Sequence, residues 1–384
     1  MYNRLERKCN KNGIGHLYTM VYKVISLFTG IGGFDFAFSN RQVVVHRDSV
    51  LDSSWVESTH PVYHSFVRLN RLPFGVVFQN DIIPDCKTNC QLNGMESNYV
   101  LADIEQLILS NHSFPEAEIV IGGFPCQDFS NCGNRMGMKS RRGRLYQSFV
   151  DVVKKVKPLI FVCENVQGLL SIPDALDTIV SDFKSIGYAV EHQLIDCSNH
   201  GIPQKRKRII IMGVNQSNKT GWNSIDSKSN AGWNLIDSNR INCQISKYYS
   251  HLEFPNQTKD KSQKQYSKAK RLSKGQGQTT INMNAYAPTI RSEHHGNIEF
   301  FDANRRLTVR ECALAQTFPP GHLFGTMSTA YKQIGNAVPP LLSYMIAHKV
   351  HEILKRICVV SSNYKMSEED YQNTSNTISN AQLF

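Results

Sequence analysis

The ten cysteines, at positions 9, 86, 90, 126, 132, 163, 197, 243, 312 and 358, include no Cys-x-x-Cys pair. Most structural zinc sites and dithiol redox centres need that spacing, so no metal is assigned. Thiols scattered through 384 residues also argue against a disulfide framework and point to a reducing, intracellular compartment. No run of eighteen apolar residues occurs, so no membrane span is expected. The apolar run 24–34 is a poor secretory leader. Three glycines interrupt it, Asp35 follows, and no small-residue cleavage site closes it. The glycine-rich turn at 28–34 lacks the Gly-x-Gly-x-x-Gly spacing of dinucleotide sites.

What is present is an ordinary soluble composition, 41% hydrophobic and 20% charged, in a chain long enough for one large domain and a smaller one. The net charge of +11 is unevenly placed. Residues 201–310 hold nineteen Lys plus Arg against seven Asp plus Glu, a net +12, leaving about −1 for the rest. One segment carries the excess, as a polyanion-binding surface does.

From Lys23 short Val- and Ile-rich runs alternate with helical stretches. Strands are expected at 23–28, 75–79, 99–102, 118–122, 158–163, 188–194 and 207–213, with helices such as 144–156 and 174–186. This alternation predicts a doubly wound, mostly parallel α/β sheet. After Val214 the chain becomes rich in Ser, Asn, Lys and Gln, and Gly221-Trp222-Asn223 recurs as Gly232-Trp233-Asn234 in an eleven-residue duplication. Helical spacing resumes at 308–316, and again from Pro340 through Leu342, Met345, Ile346, Val350, Ile353, Leu354 and Ile357. The expected organisation is a flexible extension (1–21, with Met20 a candidate start), a catalytic domain (22–214), a smaller irregular domain (215–305), a returning segment (306–358) and a disordered tail (359–384). Residues 40–73 read as an insertion between the first two strands, without a role.

The first strand ends in Phe28-Thr29-Gly30-Ile31-Gly32-Gly33-Phe34, a turn that permits close approach of a ligand to the backbone. The second ends at Asp81 beside Ile82, an acid able to accept from ribose hydroxyls next to an apolar face for adenine. The third ends at Asp103, placed for an adenine amino group or for capping a helix. Together these ends describe a pocket for an adenosine-bearing cofactor without a pyrophosphate. Gly122-Gly123-Phe124-Pro125-Cys126 and Glu164-Asn165-Val166 add a candidate thiolate nucleophile and an acid partner.

Six ordered blocks then resemble the DNA (cytosine-5) methyltransferase family of bacteria and their phages. They are Phe28–Phe34, Gly123–Gln127, Glu164–Val166, Gln204-x-Arg206-x-Arg208, Arg306–Glu311 with Gln316–Pro319, and Gln333–Pro339. The resemblance covers roughly 22–355 and implies a Rossmann-like S-adenosylmethionine methyltransferase sheet with a smaller, irregular target-recognition domain at 215–305. It implies that Phe28, Gly30, Ile31, Gly33, Asp81, Ile82, Asp103, Ile104, Pro125, Leu145, Asn336 and Val338 bind S-adenosyl-L-methionine. Many relatives carry an aromatic where Ile82 stands, so stacking on adenine is expected to be weaker.

Cytosine carbon 5 is a poor nucleophile until a thiolate adds at carbon 6. The resemblance gives that role to Cys126, with Glu164 on ring nitrogen 3 and the amino group and Arg208 on the ring carbonyl. Arg206 and Arg208, a residue apart on the seventh strand, are expected to supply part of the field that lowers the thiol pKa from ~8.5. Because the target lies inside the duplex, the base must be flipped out. The basic residues 127–144 are expected to close over DNA, with Gln127, Ser130, Arg135 and Arg142 as contacts; Lys270, Arg271 and Arg291 are further candidates. The expected partners are double-stranded DNA and, functionally, a restriction endonuclease, for a monomer in the cytoplasm. Alternatives are an RNA cytosine methyltransferase, whose short Cys-Phe-Thr signature is missing, and an inactive DNA-binding relative.

Overall fold

The structure is a computed structural model that describes residues 21–39, 41–125, 145–218, 236, 241–253, 255, 257–264, 279–292, 298–299 and 305–357. Residues 1–20, 126–144 (with Cys126, Gln127, Ser130, Arg135 and Arg142), both Gly-Trp-Asn copies of the duplication, 265–278 (with Lys270 and Arg271) and 358–384 lie outside the described residues.

Strand β1 (Tyr22–Leu27) leads into the glycine turn and a short 3-10 segment, Asp35–Phe38. The chain then builds a separate antiparallel sheet from β2 (Val44–His46), β3 (Val56–Thr59) and β4 (Phe66–Leu69), in the order β2-β4-β3. The insertion at 40–73 is therefore folded. Its strands are three or four residues long and are joined by turns and 3-10 segments, without the intervening helices that mark equally short strands of the main sheet.

Returning to the main sheet, the chain forms β5 (Phe74–Asp81), α1 (Pro84–Leu92), β6 (Tyr99–Leu101), α2 (Ile104–Leu109) and β7 (Ile119–Gly122). Next come α3 (Leu145–Val156), β8 (Ile160–Val166), α4 (Ala175–Ser185), β9 (Tyr188–Asp196) and β10 (Lys207–Asn215). The seven strands order as β6-β5-β1-β7-β8-β10-β9. All neighbours are parallel except β10, which runs antiparallel to both β8 and β9. The doubly wound, mostly parallel sheet is thus present, and all seven expected strands take part in it.

Alternate residues of the central strands go to opposite faces, and both faces are buried. Val24, Ile119, Ile121, Val162, Ile210 and Met212 join one core cluster, while Ile25, Leu27, Val120, Phe161, Ile209 and Ile211 join the other. On the second face α3 and α4 supply Phe149, Val153, Ile179 and Phe183, the last stacked on Phe161 at 4.0 Å. On the first face lies α8, residues 340–357, with every one of its seven helically spaced apolar residues buried. Each fully buried side chain of this kind contributes roughly 1.5–3 kcal/mol, so two covered faces explain why such strands read as unbroken apolar runs.

Three further short helices complete the frame: α5 (Ile245–Tyr249), α6 (Val309–Ala315) and α7 (Met327–Asn336). Helix α6 begins with a capping box. Thr308 accepts from the Glu311 N–H while Glu311 accepts from the Thr308 N–H, and Arg305 forks onto the Glu311 carboxylate at 2.7 and 2.9 Å. Among the described residues no helix is long and apolar enough to cross a membrane.

Beneath the glycine turn lies an acid that the sequence reading left without a role. Asp35 is fully buried and accepts from Ser26 Oγ (2.6 Å) and Gln79 Nε2 (2.7 Å). Burial raises its pKa to about 6, against the opposing effect of those two donors. An acid raised in the folded state contributes fully below its unfolded value of 3.8, and that contribution is lost as pH rises through about 6. Replacing it with the neutral isostere, Asp35→Asn, is expected to gain stability relative to wild type as pH climbs from 4 to 7, by up to about 3 kcal/mol. Urea unfolding at pH 4.5, 5.5 and 7 measures the difference; parallel profiles for the two proteins would refute it.

Candidate active site

In main-sheet order of appearance the strands run 3-2-1-4-5-7-6, so the crossover direction reverses between β1 and β7. Ligands of such sheets sit outside the carboxyl ends at that reversal. The glycine turn after β1, Asp81 ending β5 and Gly123-Phe124-Pro125 after β7 all lie on this edge. Because β10 is antiparallel, its amino end reaches the same edge, with Arg208 opposite Val166 and Ile210 opposite Glu164.

The turn after β1 is held from beneath. Phe28 has φ +54°, uncommon for an aromatic residue, and Gly30 follows at +57°. The Gly30 N–H donates to Asp81 Oδ2 at 2.8 Å, and the Ile83 N–H donates to Oδ1 at 2.9 Å. Burial raises the Asp81 pKa, while its backbone donors lower it. Beside it Ile82 is 61% exposed, an apolar side chain with no core to fill. A Cβ built at Gly30 meets nothing within 4 Å, so open space lies over the turn. A half-buried acid, an exposed isoleucine and that space together fit an adenosine group without a pyrophosphate.

The other residues assigned to the cofactor fall into three positions. Gly33 is packed against the C-terminal segment, where a Cβ would stand 2.4 Å from the Val338 carbonyl oxygen; this contact brings Val338 and the exposed Asn336 to the turn. Ile31 and Ile104 are buried in the two core clusters. Asp103 caps α2 by accepting from the Glu105 N–H at 3.0 Å, the alternative its position allowed. Pro125 and Leu145 bracket residues 126–144, which are not described.

The acid of β8 stands where the chemistry needs it. Glu164 Oε1 lies 2.7 Å from Arg208 Nε, both side chains about nine-tenths buried. The guanidinium N–H is not aimed along that line, so the attraction is ionic, and Oε1 has no hydrogen-bond donor among the described residues. Gly123 closes over the other oxygen: a Cβ there would be 3.2 Å from Glu164 Oε2. The adjacent Asn165 donates from Nδ2 to the Phe124 carbonyl at 3.2 Å, tying β8 to the loop that carries Pro125. An open cleft of about 570 Å³ adjoins the pair, walled by Val166–Gly168, by Lys205, Lys207 and Arg208, and by Tyr286 and Thr289.

Arg206 does something other than face this cleft. It precedes β10 rather than lying on it, is 1% exposed, and donates to three carbonyls: Ile290 (3.1 Å), Gly335 (3.0 Å) and Ala337 (3.0 Å). Burial lowers its pKa to about 9, and the neighbouring Arg208 charge adds to the effect. Gln204, also buried, accepts from the Ile290 N–H at 3.0 Å and donates to Gln316, whose own amide donates to Ala337 O at 2.6 Å. Arg291, a candidate DNA contact, follows Ile290 and is exposed.

The strand order and the site edge define a doubly wound α/β protein with a candidate ligand site at its switch point. The profile of C-5 cytosine-specific DNA methylases matches residues 22–352, and the chain belongs to that family. It is 30% identical over 380 residues to the Type II methyltransferase M.NgoFVII of Neisseria gonorrhoeae, covering 89% of this chain and 88% of that one. M.BspRI of Lysinibacillus sphaericus, also a Type II methyltransferase, is 30% identical over 367 residues, covering 86% and 81%. Among solved structures, the fold resembles S. pombe Dnmt2 methyltransferase (TM-score 0.57, 17% identity, 86% of this chain and 99% of that one). Entamoeba histolytica methyltransferase EhMeth is similarly related (TM-score 0.57, 15% identity, 87% and 99%). The chain is accordingly a DNA (cytosine-5) methyltransferase.

Two glycines of the turn separate packing from backbone strain. Gly33→Ala would drive a Cβ into the Val338 backbone and is expected to cost about 1–3 kcal/mol and to weaken cofactor binding by displacing residues 336–338. Gly30→Ala has room for its Cβ in the free protein and is expected to cost the left-handed penalty, about 1–2 kcal/mol, with the added methyl standing in the space that fits the adenosine group. Thermal melts with and without S-adenosylmethionine test both variants; a ligand-free melt of Gly33→Ala equal to wild type, or a full wild-type ligand-induced shift in Gly30→Ala, would contradict the expectation.

Proposed function

We propose that the chain methylates carbon 5 of cytosine within a specific double-stranded DNA sequence, using S-adenosylmethionine, as the modifying partner of a restriction endonuclease. The restriction–modification setting is supported by relatives that are named Type II methyltransferases. The observation that carries the chemistry is the Glu164–Arg208 pair, buried at the sheet edge beside the Gly123–Pro125 loop, with one carboxylate oxygen lacking a hydrogen-bond donor among the described residues.

The turn after β1, with Asp81 and Ile82, would hold the cofactor, whose contribution is an electrophilic methyl group. Asp81 would accept from ribose hydroxyls and Ile82 would cover one face of adenine. The cytosine is flipped out of the duplex and enters the cleft beside Arg208. The Cys126 thiolate adds to carbon 6, forming an S–C bond and moving electron density onto carbon 5. Glu164 carries or shares a proton at ring nitrogen 3, and Arg208 stabilises charge at the ring carbonyl. Once carbon 5 is methylated, its proton is removed, the S–C bond breaks and the thiolate leaves. Residues 215–305 are the segment proposed to read the DNA sequence, and the loop 127–144 to close over its backbone.

Labelled methyl transfer to unmethylated plasmid DNA tests the reading. Cys126→Ser is expected to abolish transfer while leaving cofactor binding intact. Glu164→Gln is expected to lower kcat by about 10²–10³. Asp81→Ala is expected to act chiefly on cofactor affinity. Undiminished transfer by Cys126→Ser, or none by wild type, would overturn the proposal.

A further inference from the structure

The small sheet β2–β4 occupies the connection between β1 and β5, and none of the six sequence blocks uses it. Its contacts run to three places at once. Trp55 packs its ring on Tyr344 (5.5 Å) and His348 (5.0 Å) of α8, fixing the small sheet to the catalytic core. Tyr248 of α5 lies between His46 (6.0 Å) and Phe66 (5.4 Å), and His251 sits against Tyr63 and Phe66 at 4.6 and 4.9 Å. The third contact is Ser49, fully buried, whose hydroxyl donates to the Gly201 carbonyl at 2.6 Å and meets the Tyr248 hydroxyl at 2.9 Å.

Gly201 and Tyr248 belong to different parts of the site. Gly201 lies in the loop leading from β9 to Gln204, Arg206 and Arg208. It has φ +76°, and a Cβ there would stand 2.2 Å from the Ser49 carbonyl oxygen, so the two backbones are in direct contact. Tyr248 belongs to α5, whose Ile245 and Ser246 N–H groups bond to the carbonyls of Ala285 and Met283, in the segment that runs on to Tyr286, Thr289 and Ile290. That segment forms one wall of the cleft and Arg208 another. Ser49 is therefore a joint between the strand that aims Arg208 at Glu164 and the segment proposed to read DNA.

We infer that the 44–69 sheet is a brace that sets the cleft walls relative to each other, with Ser49 as a positioning residue for turnover on DNA. The inference rests on the function proposed above. A loss of Ser49 would leave the direct supports of the cofactor turn in place, because Ser49 bonds to Gly201 and Tyr248 and the turn is held by the Asp81 carboxylate and the Val338 backbone. It would let the Arg208 strand and the reading segment drift, and a misplacement near 1 Å can cost about a hundredfold in rate.

The test compares wild type, Ser49→Ala, Tyr248→Phe, the double variant and Val62→Ser, an outward-facing control on the same insertion that is 68% exposed. Each is assayed on unmethylated plasmid DNA at a temperature where circular dichroism shows full folding. The brace predicts kcat/KM for DNA reduced about tenfold or more in Ser49→Ala and about threefold or more in Tyr248→Phe. Cofactor affinity stays within about twofold, and the double variant is no worse than Ser49→Ala, because both act through one joint. Tyr248→Phe removes a single hydroxyl and keeps the test decisive if Ser49→Ala does not fold. Wild-type turnover by folded Tyr248→Phe, independent effects that multiply in the double variant, or an equal loss in Val62→Ser would overturn the brace alone. An inactive wild type would overturn the proposed function with it.

Discussion

A buried guanidinium holds this site together. Arg206 is 1% exposed and spends its donors on three carbonyls from two distant stretches, Ile290 on one side and Gly335 and Ala337 on the other. Taking a cation out of water costs several kcal/mol. Hydrogen bonds to a charged group, each worth about 1.5–3 kcal/mol, offset that cost only if all three acceptors are in place. The arrangement is therefore close to all-or-none. It fixes the segment lining the cleft and the end of α7 to the same point on the sheet edge, and Gln204 and Gln316 extend the lock with neutral amides.

What makes that edge a site is the direction of one strand. Parallel strands deliver only their carboxyl ends to it, which suits turns and acids such as the Gly30 turn, Asp81 and Glu164. Running β10 antiparallel brings an amino end there as well, and with it Arg208 beside Glu164. Acid and base from adjacent strands then meet in a nearly dry position without any loop having to place them. The cofactor side works differently. There the turn is set by hydrogen bonds to Asp81 and by contact of Gly33 with Val338, so the chain's two halves must meet before the pocket exists.

Much of this was legible in the sequence. The seven main-sheet strands declare themselves as apolar runs alternating with helices, helix α8 by its helical spacing, and the motif residues Phe28–Gly33, Asp81 and Glu164 do lie on one edge. Thr308 and Glu311 were visible as a motif, and the structure shows them as a capping box. The three strands of the insertion were not legible, because only turns and 3-10 segments separate them, without the strand–helix alternation that exposed the equally short β6 and β7. Asn165, Gln204 and Gln316 stood inside recognised blocks, yet amides give no sign in sequence of which carbonyl they will meet. Arg206 looked like a partner for the thiolate because it sits two residues from Arg208. It stands before β10 begins, where strand alternation does not set its direction, and its side chain turns to the carbonyls of Ile290, Gly335 and Ala337 instead.

By itself the sequence determined which segments would be strands buried on both faces, which turn would follow the first strand at the sheet edge and which residue types were available for methyl transfer to cytosine. Those depend on local periodicity and on side-chain chemistry. The tertiary structure alone decided that Arg206 is a clamp, that Asp35 is a buried acid beneath the turn, and that a small inserted sheet meets both walls of the cleft at Ser49. Each of those depends on contacts between residues tens to more than a hundred positions apart, and no local pattern encodes them.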